Sequence, residues 1–178
     1  EFEHNDQSSG PYEIGFDFPF YGVHYDQCII NPNGWIGFGA DFNGWSNQNI
    51  PQVDAPRPAV FAFWDDLNPV NNSNETGSGN VFYQQLDDSF IVWFNDVIHF
   101  PGNHNGVYNF QVILYHTGEI TVNYQVMDGD TDSGTIGTQG YSGTRGLSVA
   151  HNQNFVENEL SVHMKYNFYD WFEVALEP

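Results

Sequence analysis

Apolar and polar side chains alternate through the middle of the chain. In Val107–Tyr115, the residues Tyr108, Phe110, Val112 and Leu114 share one face. After His116-Thr117-Gly118, Ile120, Val122, Tyr124 and Val126 take one face while Glu119, Thr121, Asn123 and Gln125 take the other. Period two on both sides of a Gly-containing turn predicts a β-hairpin with one buried face. Val81–Leu86 and Phe90–Val97 predict a second hairpin across Asp87-Asp88-Ser89. Nearer the start, Phe16, Phe18 and Phe20 alternate within Ile14–Phe20. A strand over Gln27–Ile30 is followed by the turn signal Asn31-Pro32-Asn33-Gly34, which leads into Trp35–Phe38.

Val60–Trp64 is a continuous apolar run, which suits a strand buried on both sides and ended by Asp65-Asp66. Further strands are predicted at Thr135–Thr138, Leu147–Ala150 and Leu160–Tyr166. About ten short strands at regular spacing, with no helical period, predict an all-β fold: a two-sheet antiparallel β-sandwich, jelly-roll-like. Residues 1–12 read as a linker and 13–166 as the sandwich domain, while the aromatic and acidic tail 167–178 reads as a further strand or a linker. Two loops lack periodicity: 39–58, rich in Asn, Gly and Pro, and the polar 68–80, with glycosylation-type sequons at Asn71 and Asn74.

Composition adds a constraint on partners. The 178 residues carry 16 Phe, 10 Tyr and 5 Trp, ample for one core, but only 3 Lys and Arg against 23 Asp and Glu, a net charge of −20. Phosphate polymers and anionic lipid surfaces would be repelled, so no nucleic-acid partner is expected. The apolar runs are too short to span a bilayer, so no membrane insertion is expected. Cations, neutral polymers and basic proteins remain as partners, and the charge suits a salty or calcium-containing exterior. Cys28, the single cysteine, permits no intrachain disulfide and reads as a small buried apolar group in a strand. The abrupt start without Met reads as a piece of a larger protein.

Six segments in order, Phe16–Gly22 (FDFPFYG), Asn33–Gly39 (NGWIGFG), Phe63–Leu67 (FWDDL), Phe90–Val97 (FIVWFNDV), Phe110–Asn123 and Thr135-Ile136-Gly137, resemble a recurrent bacterial secreted module that is similar to the nidogen-like extracellular domain. The resemblance covers about residues 14–166. It implies an extracellular accessory or adhesive β-sandwich without catalysis of its own. Loop 39–58 and the tail depart from the pattern.

Several clusters are candidates for chemistry. Asp128, Asp130 and Asp132 stand at alternate positions of a Gly-containing loop, a flexible hard-oxygen array of the kind calcium prefers, the alternative being a solvated acidic turn. The flanking sequence is not that of an EF-hand. Asp65, Asp66 and Asn68 form a second oxygen cluster at a strand end, where the alternative is a capped turn. Calcium is therefore the expected cofactor. A carboxylate pair for glycoside hydrolysis would need a partner beyond Asp65-Asp66, because adjacent residues on an extended segment point apart. Gly140-Tyr141-Ser142-Gly143 lacks the last Gly of a nucleophile elbow, and His99 with His104 is the one close His pair for zinc.

For recognition, Trp45 among Asn43, Asn47 and Asn49 offers a flat apolar face beside amides, which suits a sugar ring; the alternative is that Trp45 folds back onto the sheet. Tyr141 joins this ligand-binding set, whereas Trp35, Trp64 and Trp93 read as core. The sequence therefore predicts a non-catalytic extracellular module for adhesion or targeting, with a neutral glycan or an extracellular protein as partner. The competing expectations are a structural spacer and a carboxylate-based glycoside-active enzyme.

Overall fold

The computed structural model describes residues 2–39, 42, 44–100, 105–167 and 171–177. Strands β1 (Ser9–Phe20), β2 (Val23–Asn31), β3 (Trp35–Gly37), β4 (Ala59–Trp64), β10 (Thr135–Gln139) and β11 (Gly146–His151) form one sheet in the order β1-β2-β3-β4-β10-β11. The second sheet runs β13-β12-β9-β8-β7-β5, from β13 (Trp171–Glu177), β12 (Leu160–Asn167), β9 (Ile120–Gly129), β8 (Gly106–Tyr115), β7 (Ser89–His99) and β5 (Leu67–Asn68). A seventh strand, β6 (Asn80–Gln85), also pairs with β7. All of these pairings are antiparallel. The expected all-β, two-sheet sandwich is what the chain forms. Among the described residues, no helix is long and apolar enough to cross a membrane.

The predicted strands are present, with shifts at their ends. β1 starts at Ser9, inside the segment read as linker, and β9 runs on through Gly129 into the acidic loop. The tail supplies β13, which pairs with β12 from Ser161↔Glu177 to Asn167↔Trp171.

The main core lies between the sheets. The inward positions of β7 to β9 (Phe90, Val92, Phe94, Phe110, Val112, Leu114, Ile120, Val122, Tyr124) meet Ile14, Phe18, Phe20, Ile36, Val60 and Ala62. Phe94 and Phe110 stack with centroids 4.6 Å apart. Cys28 belongs to this core, and burial pushes its thiol up to about 12. A second, smaller core lies on the other face of β4, where Trp35, Phe61 and Trp64 pack with Ile50 and Ala55 of loop 39–58. Hence β4 is apolar on both faces, as its unbroken run predicts.

The Asn33-Gly34 turn fixes the end of β4 that leads to Asp65. The Asn31 Oδ1 accepts the Asn33 N–H at 2.9 Å, and the Asn33 Oδ1 accepts the Leu67 N–H at 2.9 Å. Gly34 has φ +81°, and a Cβ there would sit 2.1 Å from the Phe63 carbonyl oxygen. Only glycine fits both the left-handed backbone and the close approach.

Candidate functional site

The two acidic clusters meet at one end of the sandwich, where the chain leaves β4 for β5. Asp65 is buried there. Its Oδ1 accepts the Asp66 N–H at 2.9 Å and stands 3.3 Å from His99 Nε2, and its other oxygen accepts the Ser133 hydroxyl. Burial alone would raise the Asp65 carboxyl, but the hydrogen bonds from His99 and Ser133 and the charge of His99 outweigh it and hold it below its ordinary range. His99 is held above its ordinary value for the reciprocal reason, with burial opposing. Asn68 is buried and spends its Oδ1 on the Val70 N–H at 2.9 Å, while the Asp66 carbonyl accepts the Phe100 N–H at 2.7 Å.

This cluster is therefore a buried capping network, in which both Asp65 oxygens and the Asn68 oxygen already have protein partners. It also lacks the contact order of hydrolytic triads, where the imidazole lies between nucleophile and acid. Here the carboxylate stands between Ser133 and His99. His104, the other half of the candidate zinc pair, lies outside the described residues.

The loop after β9 is exposed. Asp128, at the strand end, pairs with Val107, and the Asp130 Oδ2 accepts the Asn105 N–H at 2.9 Å. Tyr108 donates its phenol to the Asp130 carbonyl at 2.5 Å. Burial raises this phenol, and the charges of Asp65, Asp130 and Asp132 raise it further, so both acidic clusters act on one hydroxyl. Among the described residues, no three His, Cys, Asp or Glu side chains gather into a metal-holding group. Asp128, Asp130 and Asp132 are all exposed, and Asp130 spends one of its oxygens on the Asn105 N–H.

Residues 44–58 form a strap across the outer face of the six-stranded sheet. Asn47 Nδ2 donates to the Ser133 carbonyl at 2.6 Å and lies within hydrogen-bonding distance of Thr135 Oγ1 and Asn152 Oδ1. The Asn49 Oδ1 accepts the Ser148 hydroxyl at 3.2 Å, and the Trp64 indole donates to the Gly44 carbonyl at 3.3 Å. Gln139 ties the far end, accepting the Gln52 N–H and donating to the Pro56 carbonyl. So Asn47 and Asn49 anchor the loop, while Trp45 stays 50% exposed. Asn43 lies outside the described residues. Tyr141, 71% exposed, sits in the β10–β11 turn, where its carbonyl accepts the Arg57 guanidinium at 3.0 Å.

Trp35 and Trp64 are buried as expected, but Trp93 is a correction: it is 39% exposed on the outer face of the seven-stranded sheet. Its neighbours Val92 and Phe94 point into the core, and strand alternation places Trp93 opposite them. Its indole donates to Asn109 Oδ1 at 2.8 Å, and Phe82 of β6 lies beside it with ring centroids 5.6 Å apart. The signal available in the sequence was parity: FIVWFNDV reads as one apolar run unless alternation is counted from Phe90.

No solved structure matches this chain. The family model described as NIDO related matches residues 1–167, and the chain belongs to that family.

Proposed function

We propose that this chain is a non-catalytic extracellular module that serves adhesion or substrate targeting, with a neutral glycan or an extracellular protein as ligand, within a larger secreted protein. Membership of a NIDO-related family suggests an extracellular module. The observation that carries the binding reading is the exposure of Trp45, Phe82 and Trp93, aromatic rings that lie outside both buried cores. A pure spacer has no need of such rings in water. The net charge of −20 favours a neutral or basic ligand over an anionic one. Support for the absence of catalysis comes from Asp65, Ser133 and His99, whose contacts are directed at one another in a capping order.

Calcium belongs to the same proposal, on Asp128, Asp130 and Asp132. Three exposed carboxylates on one short segment repel one another, and a bound divalent cation would relieve that repulsion.

The test is a glycan array together with pull-down on purified extracellular matrix proteins, using the 178-residue chain. Saturable binding to a neutral or basic target supports the reading. Absence of any binding would leave a spacer.

A further inference from the structure

The outer face of the seven-stranded sheet carries one row of side chains across five neighbouring strands. The register places Phe82 opposite Trp93, Trp93 opposite Gln111, Gln111 opposite Asn123, and Asn123 opposite Ser161. At the usual spacing between strands, Trp93 to Ser161 spans about 14 Å. Beside this row lies an open groove of about 510 Å³, lined by Trp93, Asn109, Gln111, Asn123, Glu159 and Ser161 among others.

The platform is held in place before any ligand arrives. Asn109, almost fully buried, accepts the Trp93 indole N–H and donates to Asn95 Oδ1 at 3.2 Å and Asp96 Oδ1 at 3.1 Å. Asp96 sits at an irregularity in the β7–β8 register with φ +53°, a conformation uncommon outside glycine. The bulge therefore aims a carboxylate at the amide that orients the indole. Ser161 donates to Asn123 Oδ1 at 2.5 Å, which fixes the other end of the row.

We propose that this face binds a neutral glycan, with Trp93 and Phe82 as the stacking surface and Gln111, Asn123 and Ser161 as the hydrogen-bonding row. The inference rests on the binding-module reading and deepens it by naming a site and a ligand class. Charge is the first reason. In a chain of net charge −20, the row from Phe82 to Ser161 carries no ionisable group. Carboxylates stand at its margins, as Asp96, Asp128 opposite Val107, and Glu159 in the groove lining, and the register puts Glu177 opposite Ser161 on β13. A neutral ligand thus meets no repulsion along the row, and Glu159 can accept hydroxyl hydrogens.

Chemical matching is the second reason. An amide is both donor and acceptor, as is a sugar hydroxyl, while the apolar side of a pyranose suits a flat ring. A protein partner would instead be met by a central aromatic cluster inside a polar rim, and this face offers two rings at one side of an amide field.

The experiment is affinity electrophoresis and calorimetry of the 178-residue chain on neutral polysaccharides (glucan, mannan, galactan), with polygalacturonate as an anionic control and a pull-down on purified matrix proteins run beside them. The parent should bind a neutral polymer with weak salt dependence. Trp93→Ala should lose roughly tenfold or more, and Gln111→Ala and Asn123→Ala a smaller share. Val23→Ala, an exposed side chain at the start of β2 in the other sheet, should bind like the parent. If Trp93→Ala fails the circular dichroism check, Gln111→Ala and Asn123→Ala decide alone. Neutral-glycan binding that all three variants retain would overturn the site while the binding-module reading stands. Binding only to purified matrix protein or to the anionic polymer would overturn the ligand class. No binding to any target would overturn both.

Discussion

Tyr124 of β9 donates its phenol to the Ala62 carbonyl of β4, a hydrogen bond that crosses the core and ties the seven-stranded sheet to the six-stranded one. The group is fully buried, and burial alone drives its hydroxyl well above the ordinary phenol range, so it remains a donor at any working pH.

Tyr124→Phe keeps the ring and removes the donor, leaving the Ala62 carbonyl without this partner inside the core. The expected loss is about 1–3 kcal/mol of folding stability. Urea unfolding followed by tryptophan fluorescence measures it, with the slope unchanged because the exposed area is the same. A variant as stable as the parent would show that the bond contributes nothing net.

Strand positions were legible because one face of each sheet is buried, so the period-two signal carries directly into the fold in β7, β8 and β9. The signal blurred where both faces carry apolar groups. Trp93 stands among Val92 and Phe94 in an apolar run, and only the parity of the strand separates an exposed ring from buried ones. Loop 39–58 had no readable order because its restraints are side-chain bonds to residues far along the chain, such as Asn47 to Ser133 and Gln52 to Gln139. Likewise nothing near Asp65 in sequence announces His99 or Ser133, which arrive by sheet pairing and by the crossing from β9 to β10.

Calcium should raise the melting temperature if Asp128, Asp130 and Asp132 hold it, and chelator should lower it. The shift follows mass action, about 2.7 kcal/mol at a hundredfold excess over the dissociation constant. Asp132→Asn is the cleaner variant, because Asp130 also accepts the Asn105 N–H. The variant should lose most of the calcium shift while melting near the parent without the ion. Equal shifts in parent and variant would place the cation elsewhere, and no shift in either would leave a solvated acidic loop.

The Asp65–His99 pair predicts how stability follows pH. The two side chains are 8% and 1% exposed and 3.3 Å apart. Burial opposes both charges, yet mutual attraction and hydrogen bonding hold His99 above its ordinary 6.5 and Asp65 below its ordinary 3.8. A raised histidine contributes stability that is fully present below 6.5 and is lost as pH climbs through its folded value. A depressed carboxyl contributes stability that is present above 3.8 and is lost as pH falls through its folded value. Both contributions therefore coexist between 3.8 and 6.5. His99→Gln removes the titrating cation and leaves Asp65 buried without it, which should cost about 3–5 kcal/mol at about pH 5. That gap should narrow from about pH 6 to about pH 8, because the parent loses its own imidazolium over this range. Comparing the difference rather than the parent alone cancels the other histidines, which both proteins share. Urea midpoints at several pH values give the gap, and an NMR titration of the His99 ring gives its midpoint directly. A gap that stays constant with pH, or a ring midpoint below 6.5, would show that His99 is buried neutral and that Asp65 is held by Ser133 and the Asp66 backbone alone.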